Sequence, residues 1–333
     1  MSRLLLLAIL LSPLTSAAQE FDTIRICTYN LLQFSGDDLD RTDDFLTVLK
    51  EIEPDILVVQ GLSSEEGWQL FLDSVMKKVD PTFEAAPWHD GPDTDNGFFY
   101  KSDVIHYARM RILETLPRQT GVYTVLPARN RASGSDSLDL FVTHLNSGNS
   151  LEDEALRLES CAMIRMDLLK RGPIVNDFTL LGTLNFHSTF PSYAHLVQKG
   201  MGGVVFSDPL VDINSETGNP DSITWYRNPD FASIHTQSTR EGEFEESIGD
   251  GLQDRSDFIL FIPRLVNPKY KQEMRYLPNS YRVFGNDGRH YGEGVNVRSN
   301  DEVSVEVSQA LHDASDHLPV YVDIVFLKTT ERH

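Results

Sequence analysis

A chain of 333 residues suits one large domain or two small ones. Its 29 lysines and arginines against 50 aspartates and glutamates leave a formal net charge of −21. That balance excludes broad electrostatic binding to a polyanion, though not a nucleic-acid enzyme whose local arginines offset the field. Two cysteines, Cys27 and Cys161, are too few for a disulfide scaffold; they could pair in an oxidising compartment or stay buried free thiols, as the apolar context of each suits.

Residues 1–18 read as an export signal. Arg3 gives a short positive start, 4–11 an apolar run, and Ser16-Ala17-Ala18 small residues before Gln19. The run is too short to span a bilayer, and no later stretch approaches that length. The expectation is an exported protein, periplasmic or extracellular, with one domain over 19–333 and no membrane insertion once the signal is removed. No repeat or low-complexity linker divides it.

Ile24-Arg25-Ile26-Cys27-Thr28-Tyr29-Asn30 alternates β-formers and ends in an amide, so it predicts a strand. Helical spacing follows over 43–52, with a stop before Pro54. The continuous apolar run 56–60 predicts a buried strand. Residues 68–79 are again helical, and 96–101 with 104–108 resemble a hairpin. Strands are expected at 122–126, 138–144, 178–185, 222–226, 257–262 and 320–326. The strongest helix is 151–170, with Leu156, Met163, Ile164 and Leu168 on one apolar face. Segments 237–256 and 263–300, rich in turn-formers, read as exposed loops. Arg118, Arg129 and Arg131 form a modestly basic neighbourhood that reads as solvated loop. Strands interspersed with helices make the class α/β.

Several apolar strands end in a polar residue of catalytic type: Asn30, His144, Asn185 and, before the last strand, Asp316-His317. A strand end is a rigid place from which to aim a side chain, so these residues together suggest one active-site rim. An Asp-His pair offers a hard oxygen for a divalent cation and a donor for a phosphoryl oxygen.

The sequence resembles the endonuclease/exonuclease/phosphatase superfamily, the DNase I-like proteins, over nearly all of 19–333. Six stretches in order carry the likeness: Thr28-Tyr29-Asn30; Pro54-Asp55-Ile56-Leu57-Val58-Val59-Gln60; Thr143-His144-Leu145 with Arg157 downstream; Gly182-Thr183-Leu184-Asn185; Asp254-Arg255-Ser256-Asp257-Phe258-Ile259-Leu260; and Ser315-Asp316-His317-Leu318-Pro319-Val320. The stretches 90–96 and 235–240 look most like the exported bacterial branch. The resemblance implies a four-layer sandwich, two packed mixed β-sheets flanked by helices. It also implies a divalent cation, Mg²⁺ or in its place Mn²⁺ or Ca²⁺, held by Asn30 and Asp316. His144, Asn185, Asp257 and His317 would act on a nucleic acid or other phosphate ester.

Two positions depart from the family pattern. Gly61 follows Gln60 where the family has a metal-binding Glu, and Thr183 follows Gly182 where it has a water-activating Asp. Glycine ligates nothing through a side chain, and a neutral hydroxyl is a poor general base. Glu65, Glu66, Asp177 and His187 are the nearest candidate replacements in sequence. Two readings follow: a metal-dependent phosphodiester hydrolase with weakened activity and weakened metal binding, or a non-catalytic protein that keeps a pocket for phosphate-containing or nucleotide ligands.

Overall fold

The computed structural model describes residues 21–128, 137–170, 177–198, 206–211, 224–237, 251–267 and 274–327. The proposed export signal, Arg129 and Arg131 lie outside the described residues. Among the described residues, twelve strands and seven α-helices are interspersed along the chain. First come β1 (Phe21–Phe34), α1 (Thr42–Ile52), β2 (Ile56–Leu62), α2 (Glu65–Phe71), a π-helical turn (Leu72–Met76) and α3 (Lys77–Val79). Then follow β3 (Phe83–Ala85), β4 (Asp95–Lys101), β5 (Ile105–Leu113), β6 (Thr120–Pro127), β7 (Leu138–His144), α4 (Leu151–Lys170), β8 (Asp177–Thr183) and α5 (Pro191–Val197). The chain closes with β9 (Asp257–Phe261), α6 (Pro263–Val266), β10 (Met274–Tyr276), β11 (Arg282–Val283), α7 (Val305–Ala314) and β12 (Val320–Leu327).

The strands form two mixed sheets. One runs β10-β12-β1-β2-β4-β3, with β11 also on β12; the other runs β5-β6-β7-β8-β9. The parallel pairs are β1/β2 and β7/β8. The sheets face each other across an apolar core, where Phe98 of β4 stacks on Tyr123 of β6 at 4.5 Å. Outside the first sheet, α1 buries Phe45, Val48, Leu49 and Ile52, one helical face. Phe45 meets Tyr29, Phe34 and Phe71 edge-on at 5.4–5.6 Å, which seats α1 and α2 on β1. The expected α/β sandwich of two packed sheets flanked by helices is therefore observed.

Several local expectations change. Segments 96–101 and 104–108 are not a hairpin: β4 already pairs with β2 on one edge and β3 on the other, so β5 has no free edge there and joins β6 in the second sheet. Helix α4 does bury Cys161, Ile164 and Leu168, but its inner face also carries Glu154, Arg157, Ser160 and Arg165. Arg111 of β5 donates two bonds to Asp167 of α4, at 2.9 and 2.6 Å, fixing the helix on the second sheet. No strand runs through 224–226; fully buried Trp225 instead donates to the Phe186 carbonyl, and His235 Nε2 hydrogen-bonds the Trp225 carbonyl at 2.7 Å. Residues 222 and 223 lie outside the described residues.

The described parts of 251–256 and 274–300 are not exposed loops. Leu252, Arg255, Tyr276, Tyr281, Phe284, His290 and Val295 are buried. Irregular backbone can be buried only if its polar groups find partners; Asn286 supplies some, donating to the carbonyls of Ala232 and His235 at 2.8 and 2.7 Å. Helix α7 has no counterpart among the expected elements, although Val307, Ala310, Leu311 and Ala314 recur at helical spacing behind the Ser304 cap. Cys27 and Cys161 are buried free thiols. Among the described residues, no helix is long and apolar enough to cross a membrane.

Candidate active site

The sheet registers bring the singled-out residues to one end of the sandwich. Asn30 pairs with Gln60 where β1 and β2 run parallel. His144 pairs with Thr183 at the parallel ends of β7 and β8, and Thr183 pairs with Asp257 at the start of antiparallel β9. Asp316 and His317 stand just before β12, antiparallel to β1. Gly182 makes this closeness possible: it sits at φ +131, and a Cβ there would run into the Thr143 carbonyl of β7.

A cleft of about 80 Å³ opens between these ends, lined by Asn30, His144, Asn185, Asp316 and His317 together with Thr183 and Arg118. At roughly 30 Å³ per water it has room for two or three waters, or one tetrahedral group in their place. Leu32, Gln33, Gly61, Thr94, Ser147 and Gln237 complete the wall. Asp257 does not reach the cleft; it lies behind His317, which donates from Nδ1 to Asp257 Oδ2 at 2.7 Å. The arrangement brings all six candidate residues together, five on the wall and one behind it.

A polar chain crosses the site. Asn30 Nδ2 donates to the Thr183 hydroxyl at 3.0 Å, and that hydroxyl donates to Asp257 Oδ1 at 2.7 Å. The other Asn30 atom, Oδ1, accepts from the Leu32 amide at 2.9 Å. Asn185, at φ +52, donates to the Leu145 carbonyl. Ser315 Oγ donates to the Asn30 carbonyl at 2.7 Å and tethers the Asp316-His317 segment to β1.

The charges are uneven. Burial works against a charged His317, yet Asp257 and Asp316 outweigh it and raise the imidazole to about 9. His144 shifts the other way: burial pushes it well below the usual imidazole range, and the charges of Arg118 and His317 push in the same direction. The field at His144 is thus set by cations. Arg118 is buried rather than solvated, contrary to the sequence expectation. Its Nη2 pairs with Asp93 at 2.7 Å and its Nε donates to Thr94, while Nη1 and the His144 Nδ1 have no partner among the described residues. Such a buried donor has local pairs only in the folded chain. In sequence, Thr94 and Gln237 fall within the stretches 90–96 and 235–240 singled out above, and Arg118 within the basic neighbourhood.

The residues present do not fit a resident divalent cation. Mg²⁺ wants several hard oxygens. Asp316 is the one carboxylate on the cleft wall, Gly61 offers no side chain, and Asn30 Oδ1 already accepts a backbone amide. Among the described residues no three His, Cys, Asp or Glu gather to hold a metal. None of the candidate replacements lines the cleft. Glu65 and Glu66 are exposed in the first turn of α2, and Asp177 pairs with Arg264 at the far end of β8. His187 stacks between Phe190 and Tyr226 and bonds Asp254.

No protein-family model matches the sequence, and no curated protein matches it. Solved structures do match in fold. An endonuclease/exonuclease/phosphatase family protein from Bacteroides thetaiotaomicron is 16% identical with a TM-score of 0.55, over 92% of this chain and 99% of that one. A mannosyl-6-phosphatase from the same organism is 17% identical with a TM-score of 0.53, over 91% and 100%. TDP2 from D. rerio, solved with a single-strand DNA product, is 15% identical with a TM-score of 0.52, over 91% and 98%. With two facing mixed sheets and a polar cleft at their common end, this chain shares the fold of these solved structures, an endonuclease/exonuclease/phosphatase family protein among them.

Proposed function

We propose that this protein binds a phosphate ester in the cleft and hydrolyses it poorly. The observation that carries this reading is that buried Arg118, whose Nη1 has no partner among the described residues, and cationic His317 both line the cleft. Both are donors suited to a tetrahedral oxyanion. One structural neighbour was solved with a single-strand DNA product and another is a mannosyl-6-phosphatase, which makes nucleic acids and phosphomonoesters the candidates. Slow turnover follows from Thr183. Its hydroxyl is spent as a donor to Asp257, and removal of a general base typically costs about 10²–10⁴ in rate. A resident Mg²⁺, Mn²⁺ or Ca²⁺ would find one carboxylate on the wall, so metal assistance is weak or lost. Export, read from residues 1–18, would place the site in the periplasm or outside the cell.

The test combines binding and turnover. Calorimetry should detect inorganic phosphate, and Arg118→Met should weaken it about 10–100-fold, the worth of a hydrogen bond to a charged group. Bis-p-nitrophenyl phosphate and plasmid DNA should be cleaved slowly at best with Mg²⁺, Mn²⁺ or Ca²⁺. Rapid cleavage that His317→Ala abolishes would restore the efficient hydrolase reading. Absence of phosphate binding would remove the proposal.

A further inference from the structure

The two departures from the family pattern are tied together by geometry. Asn30 pairs with Gln60 and Phe34 with Leu62, so Leu31, Leu32 and Gln33 bulge opposite Gly61 alone. Leu32, Gln33 and Gly61 all take positive φ, 49°, 51° and 74°. The bulge turns the Leu32 amide onto Asn30 Oδ1, the atom a cation would need. It also leaves no space beside Gly61: a Cβ there would stand 2.8 Å from Asn30 Oδ1 and 3.3 Å from the amides of Leu32 and Gln33. Arg41, nearly fully buried, braces the turn by donating to the carbonyls of Leu31, Leu32 and Ala314. On the other side Asn30 Nδ2 is held by Thr183, which is held by Asp257. An Asp at 183 would set a carboxylate against Asp257 where the hydroxyl now donates.

We infer that Gly61, the 31–33 bulge and Thr183 form one coupled device that closes the cation position and leaves a metal-free subsite for a tetrahedral oxyanion on Arg118 and His317. The oxyanion half rests on the function proposed above; the closure half stands on the bulge alone. In this device Gly61 is a required residue rather than a missing ligand. Hydrogen-bond donors without a bridging metal act on acceptor oxygens, so phosphate and sulfate share the chemistry.

Calorimetry on the full chain tests both halves. Mg²⁺ alone should give no saturable binding at micromolar concentration. Phosphate and sulfate should each bind equally well, within about twofold, in EDTA and in Mg²⁺. Binding of phosphate but not sulfate narrows the ligand to phosphate esters and leaves the closure intact. Gly61→Ala should lower the melting temperature, and Asn30→Ala in that background should recover part of the loss, since the added Cβ strikes the Asn30 side chain. Micromolar Mg²⁺ binding, or phosphate binding that EDTA abolishes, overturns the inference while the phosphate reading survives. Gly61→Glu that gains Mg²⁺ affinity without losing stability also overturns it. If neither anion binds, the phosphate reading falls, and Mg²⁺ titration with the Gly61 variants still decides the closure.

Discussion

His317 is pulled between burial and two carboxylates, and the carboxylates prevail. Its folded value of about 9 exceeds the usual imidazole value of about 6.5 in an unfolded chain. Its ion pair therefore contributes fully below about pH 6.5 and is lost as pH rises through about 9. The melting temperature should decline across that window, and His317→Gln should flatten the decline; a wild-type profile that is level from pH 6.5 to 9.5 would contradict the assignment. At this scale the sequence was informative at the borders of patterned strands: Asn30 and His144 end expected strands, and His317 precedes the last one. It was silent on the bulge, because Leu32 and Gln33 are not residues that announce positive φ. Arg118 was hidden for a related reason: its burial depends on Asp93 and Thr94, more than twenty residues upstream, folding over it.

Among elements, the stitch that positions β9 is the buried pair Arg255–Asp208. Both side chains are fully buried. Arg255 donates to both Asp208 oxygens at 2.6 and 3.1 Å, lies 4.1 Å from the Phe258 ring, and stands two residues before Asp257, the first residue of β9. Asp208 also accepts from the Tyr193 hydroxyl and the Leu210 amide. Removing one partner strands a buried charge, so Arg255→Met should cost about 3–5 kcal/mol in urea unfolding. Replacing both, as Arg255→Met with Asp208→Leu, should cost less than the single change; an equal or larger loss would mean the charge itself is not what the pair protects. The strands and long helices were legible because apolar period reports burial directly. The hairpin error at β4 and β5 had a different origin, since period says nothing of which edges are already paired. Aromatic anchors inside 274–300 likewise turned an apparent loop into core.

Taken as a whole, the molecule sets two buried cationic donors, Arg118 and His317, inside a strongly acidic body. In the proposed site the donors for one phosphate act at contact distance, whereas the net charge of −21 acts over the Debye length and repels a polyanion. On the proposed function these two ranges would favour small esters over duplex DNA. A protein that neutralises many phosphates loses affinity steeply with salt, with a slope of about −0.9 per contact. Here the cleft offers Arg118 and His317 to one group, so few counterions would be released. A labelled 20-nucleotide strand should therefore bind no more tightly than a mononucleotide, and raising salt from about 50 to about 200 mM should leave its anisotropy titration nearly unchanged or slightly improved, as screening relieves the repulsion. A steep loss of strand affinity over that range would point to an extended basic track along the surface and would make nucleic acid the ligand after all.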